Sequence, residues 1–120
     1  MIEDLVSRVF ATRNAVHLAH WAAKGAGSFS RHSALGDFYE ALIDKIDNIV
    51  EMHQGAFGLI GDVDVQSVPA EGIMEHIGEE ANWIEGNRDE ISGGVSAIQN
   101  AVDDLTGAYL RTFYKLKNLS

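Results

Sequence analysis

Apolar residues recur every three or four positions through most of this chain, and that spacing is what most narrows its fold. Ile2, Leu5, Val9, Thr12, Val16, Ala19 and Ala23 trace the first stripe. Side chains at such intervals share one face of an α-helix, because 3.6 residues complete a turn. Gly25 and Gly27 then end a first predicted helix of about 24 residues, glycine being the residue that most easily leaves the helical conformation. Leu35, Tyr39, Leu42, Ile46, Ile49, His53 and Ala56 give a second, from near Ser30 to about Gly58. A shorter third carries Ile73, Ile77, Ala81 and Ile84, with Pro69 suited to its first turn, where the missing N–H costs nothing. Gly72, Gly78 and Gly86 weaken it by about 1 kcal/mol each relative to alanine. Ile91, Val95, Ile98, Val102, Leu105, Tyr109, Leu116 and Leu119 mark a fourth helix, interrupted only by Thr112. A brief alternation in DVDVQSV is the sole strand-like pattern.

Four amphipathic helices around one core predict an all-α four-helix bundle. With 120 residues the chain makes one domain, 1–120, and has no room for a second. The topology turns on the connection between the second and third helices. Residues 58–69, fully extended at about 3.3 Å each, reach about 40 Å. The second helix is about 42 Å long at 1.5 Å per residue. A simple hairpin would need far less, so a crossover that leaves these two helices parallel is expected.

Composition removes several kinds of chemistry. There is no cysteine, so thiolate metal sites, cysteine nucleophiles and disulfides are excluded, and any metal would be held by oxygen and imidazole. A formal net charge of -9 repels phosphate backbones, and nucleic acid is not an expected partner. Arg111, Lys115 and Lys117 fall in the last turns of the fourth helix, where cations complement its dipole. The start, MIEDLVSRVF, is acidic where a secretory signal is basic, and no apolar run approaches the roughly 18 residues that span a bilayer. A soluble, unprocessed, cytoplasmic protein is expected. Nothing resembles a nucleophile elbow or a phosphate loop.

The second helix carries an unusual face. With Asp37 at zero and about 100° per residue, Glu40, Asp44, Asp47 and Glu51 fall within about 80° of one another, and the apolar positions centre about 155° away. This is a row of carboxylates with no basic residue inside it, turned away from the chain's own core. Like charges at such spacing cost a helix a few tenths of a kcal/mol each. One reading is a solvated face on an acidic protein. The other is a hard-cation site, with His17, His20 and His32 nearby in sequence to add imidazole. The other ligands would then come from another chain, because this chain's own helices lie on the opposite side. Elsewhere, His53 is expected as a hydrogen-bonded core histidine, Glu75, His76, Glu79 and Glu80 as exposed pairing, and Asp103 and Asp104 as surface acids.

The run HWAAKGAGSFSRHSALGDFYEALIDKIDNIVE, residues 20–51, resembles the Dps family of ferritin-like iron proteins. That family's pattern is His, eleven residues, His, three residues, Asp, ten residues, Asp, three residues, Glu. His20, His32, Asp47 and Glu51 stand at those intervals, and Gly36 takes the place of the first Asp. The resemblance implies a ferritin-like bundle that assembles with itself, as a homodimer or a larger oligomer. It also implies a metal centre between subunits, with His20 and His32 from one, Glu51 as a bridging or terminal carboxylate, and Asp47 as a ligand or neighbouring acid. Asp37, about 100° round the helix from Gly36, is the remaining carboxylate candidate. Iron is the implied metal, with manganese or zinc as other occupants, and the implied activity is ferroxidase: Fe(II) oxidation by peroxide or dioxygen and storage as mineral. Trp21 and Tyr39 would lie close by, in packing roles. The chain is shorter than typical members and has no basic DNA-binding tail. Short Dps-like proteins encoded by bacteriophages, with a similar SRHSALGDFYEALID core and a final YKLK, are the nearer resemblance. The alternative is a non-catalytic helical interaction module that kept the bundle without metal chemistry.

Overall fold

The computed structural model describes all 120 residues and holds five helices, α1 (Ile2–Ala22), α2 (Ser28–Phe57), α3 (Ile73–Gly86), α4 (Arg88–Ser92) and α5 (Ser96–Asn118). No residue is in a strand, the DVDVQSV segment included. Glycines set several of the boundaries. Gly25 and Gly27, at φ 89° and 74°, make the turn after α1, and Gly58, at φ 99°, closes α2 while its N–H bonds the Gln54 carbonyl. No helix is long and apolar enough to cross a membrane.

The stripes meet in one connected core of 23 buried residues drawn from all five helices. Leu5, Val9, Val16, Leu35, Leu42, Ile49, Ile77, Val102 and Leu105 are fully buried within it. Each such side chain contributes about 1.5–3 kcal/mol relative to exposure. α1 packs on α2 and α3, and α5 packs on α2, α3 and α4. Cross-links fix relative directions: Arg8 meets Glu80 and Thr12 meets His76, so α1 and α3 run oppositely. Phe38 meets Tyr109 edge-on at 4.9 Å and Lys45 meets Asp104 at 2.7 Å, so α2 and α5 do too.

Residues 58–72 lie against α1. The Gly61 N–H donates to Glu3 Oε2 at 2.8 Å and Ser7 Oγ donates to the Asp64 carbonyl at 2.7 Å, near the start of α1. At the other end Ala70 and Gly72 line a cavity with Ala19 and Ala22, in the last turn of α1. The backbone bond to Gly61 holds the Glu3 carboxyl below its ordinary range.

Two expected boundaries move. The third helix starts at Ile73, after Gly72 at φ 70°, and Pro69 belongs to the connection instead of a first turn. The single fourth helix is broken: α4 stops at Ser92, Gly93 and Gly94 take φ 59° and 82°, and α5 begins at Ser96. Glycine's left-handed backbone makes the break, and Phe57 packs against it. A Cβ at Gly93 would lie 2.6 Å from Phe57 Cζ, so the end of α2 packs directly on this turn. Gly93→Ala should therefore lower stability by about 1–2 kcal/mol from its left-handed backbone alone. The clash should add to that cost, and Phe57→Ala in the same chain should remove only the added part, as read from urea midpoints at constant slope.

Candidate functional site

α1 and α2 are joined by a short turn, which brings the last turn of one beside the first turns of the other. There the His20 and His32 imidazoles stack, with centroids 3.6 Å apart and planes 18° apart. His20 Nδ1 donates to the His32 carbonyl at 2.6 Å, and His32 Nδ1 donates to the His20 carbonyl at 2.8 Å. A carbonyl can only accept, so each neutral ring keeps its proton on Nδ1 and a lone pair on Nε2. Neither Nε2 has a partner within the chain, and neither is buried. An imidazole whose Nδ1–H is held by a main-chain carbonyl is the usual arrangement of a metal-ligating histidine.

Gly36 makes room for this pair. A Cβ there would come within 2.9 Å of His20 Cε1 and 3.1 Å of His20 Nδ1. His17, one turn before His20, lies against Tyr39 at 4.0 Å and Trp21 at 4.1 Å. Desolvation, with smaller effects from Arg13 and His20, lowers the pKa of His17 below 6.5.

The carboxylates lie elsewhere. Asp37, Glu40, Asp44, Asp47 and Glu51 are all exposed, and none forms an ion pair. Asp47 and Glu51 stand fifteen and nineteen residues beyond His32 on the same helix, roughly 22 and 28 Å along its axis. Asp37 lines a cavity between α2 and α5 with Lys45, Arg111 and Lys115. The fold thus unites His20 with His32 and separates both from Asp47 and Glu51. No three potential ligands converge within one chain. Imidazole nitrogens and carboxylates from a second copy are donor types that suit a divalent transition ion, but the near-parallel stack leaves the two Nε2 lone pairs in parallel planes, so one ion could take both only if the rings moved apart.

A second polar cluster, between α1 and α3, was expected as exposed pairing and is partly internal. Glu80 is only 9% exposed, and Arg8 Nη1 donates to both its oxygens at 3.0 and 2.9 Å. The same guanidinium lies 4.1 Å over Trp83. His76 Nε2 is 2.9 Å from Thr12 Oγ1, and the Tyr109 hydroxyl also bonds Thr12. Burial pushes the Tyr109 phenol well above its ordinary range, with Glu80 adding to the effect. Glu75 and Glu79 are exposed, as are Asp103, paired with Arg88 at 2.6 Å, and Asp104. His53 corrects another expectation: it is half-buried against Phe57, but its Nδ1 is buried without a partner. Thr12, a polar residue within an apolar stripe, was the available signal for the α1–α3 cluster.

Residues 20–116 match the model of DUF5856, a family of unknown function. The chain belongs to that family. The match begins at His20 and takes in the stacked histidines, the acidic row and most of α5. No curated protein and no solved structure matches the DUF5856 chain.

Two measurements test these contacts. Arg8→Ala leaves the Glu80 carboxylate without its cation and should cost about 2 kcal/mol in denaturant unfolding, below the full penalty of a buried pair because Arg8 is itself partly exposed. His17 should titrate below 6.5 by NMR. Its unfolded form takes up a proton first, so its effect on stability is neutral above pH 6.5 and increasingly unfavourable as pH falls from there to the lower folded pKa. His17→Gln should flatten the stability profile in that window.

Proposed function

We propose that this chain is a ferritin-like protein of the Dps type, a four-helix bundle with a crossover between α2 and α3. It associates with itself and binds iron or another divalent metal between copies. His20 and His32 of one copy face Asp47 and Glu51 of the next, with Asp37 a lesser candidate because its cavity holds three cations. The observation that carries this reading is the reciprocal Nδ1 bonding of the two histidines, which leaves both Nε2 atoms without a hydrogen-bond partner in the chain. The opposed directions of α1 and α3, and the path of residues 58–72 along α1, support the crossover.

The exposed surface supports self-association. Phe10, Ile43 and Val65, at 37, 39 and 42% exposure, surround a shallow cavity with Arg13 and Asn14. Ile43 lies between His32 and Glu51 on α2, so antiparallel pairing of two α2 helices about this level brings the histidines of each copy toward the carboxylates of the other. Iron is the substrate of such a centre: Fe(II) gives an electron to peroxide or dioxygen and is stored as Fe(III) mineral. What the chain contributes is two fixed nitrogen donors and a row of oxygens. The second reading, a helical interaction module without metal chemistry, draws on Gly36, which leaves that position of α2 without the carboxylate of the Dps pattern.

Light scattering on the purified chain should give a dimer or larger species, and elemental analysis after exposure to Fe(II) or Zn(II) should find bound metal. His20→Ala with Glu51→Ala should abolish that uptake. A monomer, or uptake unchanged in the double variant, would reject the interface site.

A further inference from the structure

We propose that two copies of this chain pair along α2 in one antiparallel register centred on Ile43, with Phe29 of each copy beside Phe57 of the other and Arg13 of each facing Asp47 of the other. The inference rests on the self-association proposed above and deepens it by fixing which residues meet.

The exposed apolar residues of α2 set the register. Three large ones stay in solvent: Phe29, Ile43 and Phe57. Phe29 and Phe57 stand fourteen residues before and after Ile43, so the pattern reads the same from either end of the helix. Fourteen residues are two heptads, over which a straight helix drifts by only about 40°. The three therefore share one seam, of the kind that two helices bury by coiling about each other. A two-fold pairing needs such a self-complementary patch, and one centred on Ile43 covers all three residues of both copies.

Charge decides the direction. Parallel helices would cover the same residues but set each Asp47 beside its own copy. Tyr39 and Asp47 stand one turn before and one turn after Ile43, so antiparallel helices bring Tyr39 of one copy level with Asp47 of the other. A cation waits there: Arg13 Cζ lies 5.3 Å from the Tyr39 ring centre, and Arg13 shares a cavity with Ile43. That guanidinium forms no ion pair in its own chain. Its Nε is buried without a partner, and its Nη1 makes only a 3.4 Å contact with Asn14 Oδ1. Asp47 is exposed and equally unpaired, and the planar fork of an arginine fits a carboxylate with two parallel hydrogen bonds. The same register brings Glu51 of one copy within three residues of the level of His32 in the other, nearer than any other acid of that row.

The chain has no cysteine, so introduced thiols report the register by themselves, with a chelator present to keep metal out. Under mild oxidation by diamide, Ile43→Cys should give a covalent dimer, because the two copies of that position meet at the two-fold axis. Phe29→Cys combined with Phe57→Cys should give one as well. Phe29→Cys alone should run as a monomer on a denaturing gel, its two copies lying about 42 Å apart along the pair. Arg13→Glu should raise the dimer dissociation constant about tenfold or more by sedimentation, and adding Asp47→Arg should recover most of that loss. Asp47→Asn, at an exposed position, should weaken association about fivefold with no cost to folding. Cross-linking of Phe29→Cys alone, or none through Ile43→Cys, overturns the register, and charge reversal without recovery overturns the pairing of Arg13 with Asp47. In either case a parent chain that still sediments as a dimer or larger keeps the self-association reading. A parent that is monomeric in chelator but assembles with metal overturns this inference and leaves the interface site. One that is monomeric in both removes the two together.

Discussion

One reciprocal contact organises the junction of α1 and α2: each of two imidazoles donates to the main chain of the other. The contact ties the last turn of α1 to the first turns of α2, fixes the neutral tautomer of both rings and leaves Nε2 of each without a partner in the chain. Because the partners are backbone carbonyls, the arrangement depends on the path of the two helices and not on a further side chain. The glycine turn at Gly25 and Gly27 sets that path, and Gly36 provides the space. A stacked histidine pair is therefore a product of three glycines as much as of the histidines.

Helix content was legible in the sequence because burial on one face imposes a period that survives many substitutions. The stripes through Leu5 and Val16, Leu42 and Ile49, and Val102 and Leu105 all point inward. What periodicity could not show was where a stripe continues across a break. Ile91 and Ile98 are both buried, and their spacing of seven is that of a single helix, yet Gly93 and Gly94 turn the chain between them. Phe57, which packs on that turn, is far away in sequence and approaches Gly93 only in the fold. Glu80 escaped for the same reason. Its neighbours Glu75 and Glu79 are exposed, and only the approach of Arg8 and Trp83 makes its burial tolerable. The His20–His32 pairing was visible as a spacing, but the mutual Nδ1 bonds needed coordinates.

The acidic row on α2 carries a physical tension. Five exposed carboxylates share one helix face without an ion pair, in a chain of net charge -9. Three of the nine basic residues are committed elsewhere, Arg8 to Glu80, Lys45 to Asp104 and Arg88 to Asp103, and no other is ion-paired with the row. Each repulsive neighbour costs only a few tenths of a kcal/mol in water, so the lone chain tolerates the row. Packing that face against a second copy would remove solvent screening and raise the cost, unless positive charge is buried with it. Arg13, which has no ion pair and a buried, unpartnered Nε beside Tyr39, is one source, and a bound divalent ion is another.

The distance between nitrogen and oxygen donors gives the proposed site its thermodynamic character. Asp47 and Glu51 stand roughly 22 and 28 Å along α2 from His32, so no single chain can bring both kinds of donor to one ion. Ion binding and self-association are then linked: the ion binds the assembled form more tightly, and assembly is favoured to the same extent by the ion. An interaction module without metal would lack this coupling, and its free Nε2 atoms would have nothing to do. Two Nε2 atoms without a partner in their own chain, on rings held by main-chain hydrogen bonds, agree with the proposed site and are the contacts that a second copy or an ion would have to supply.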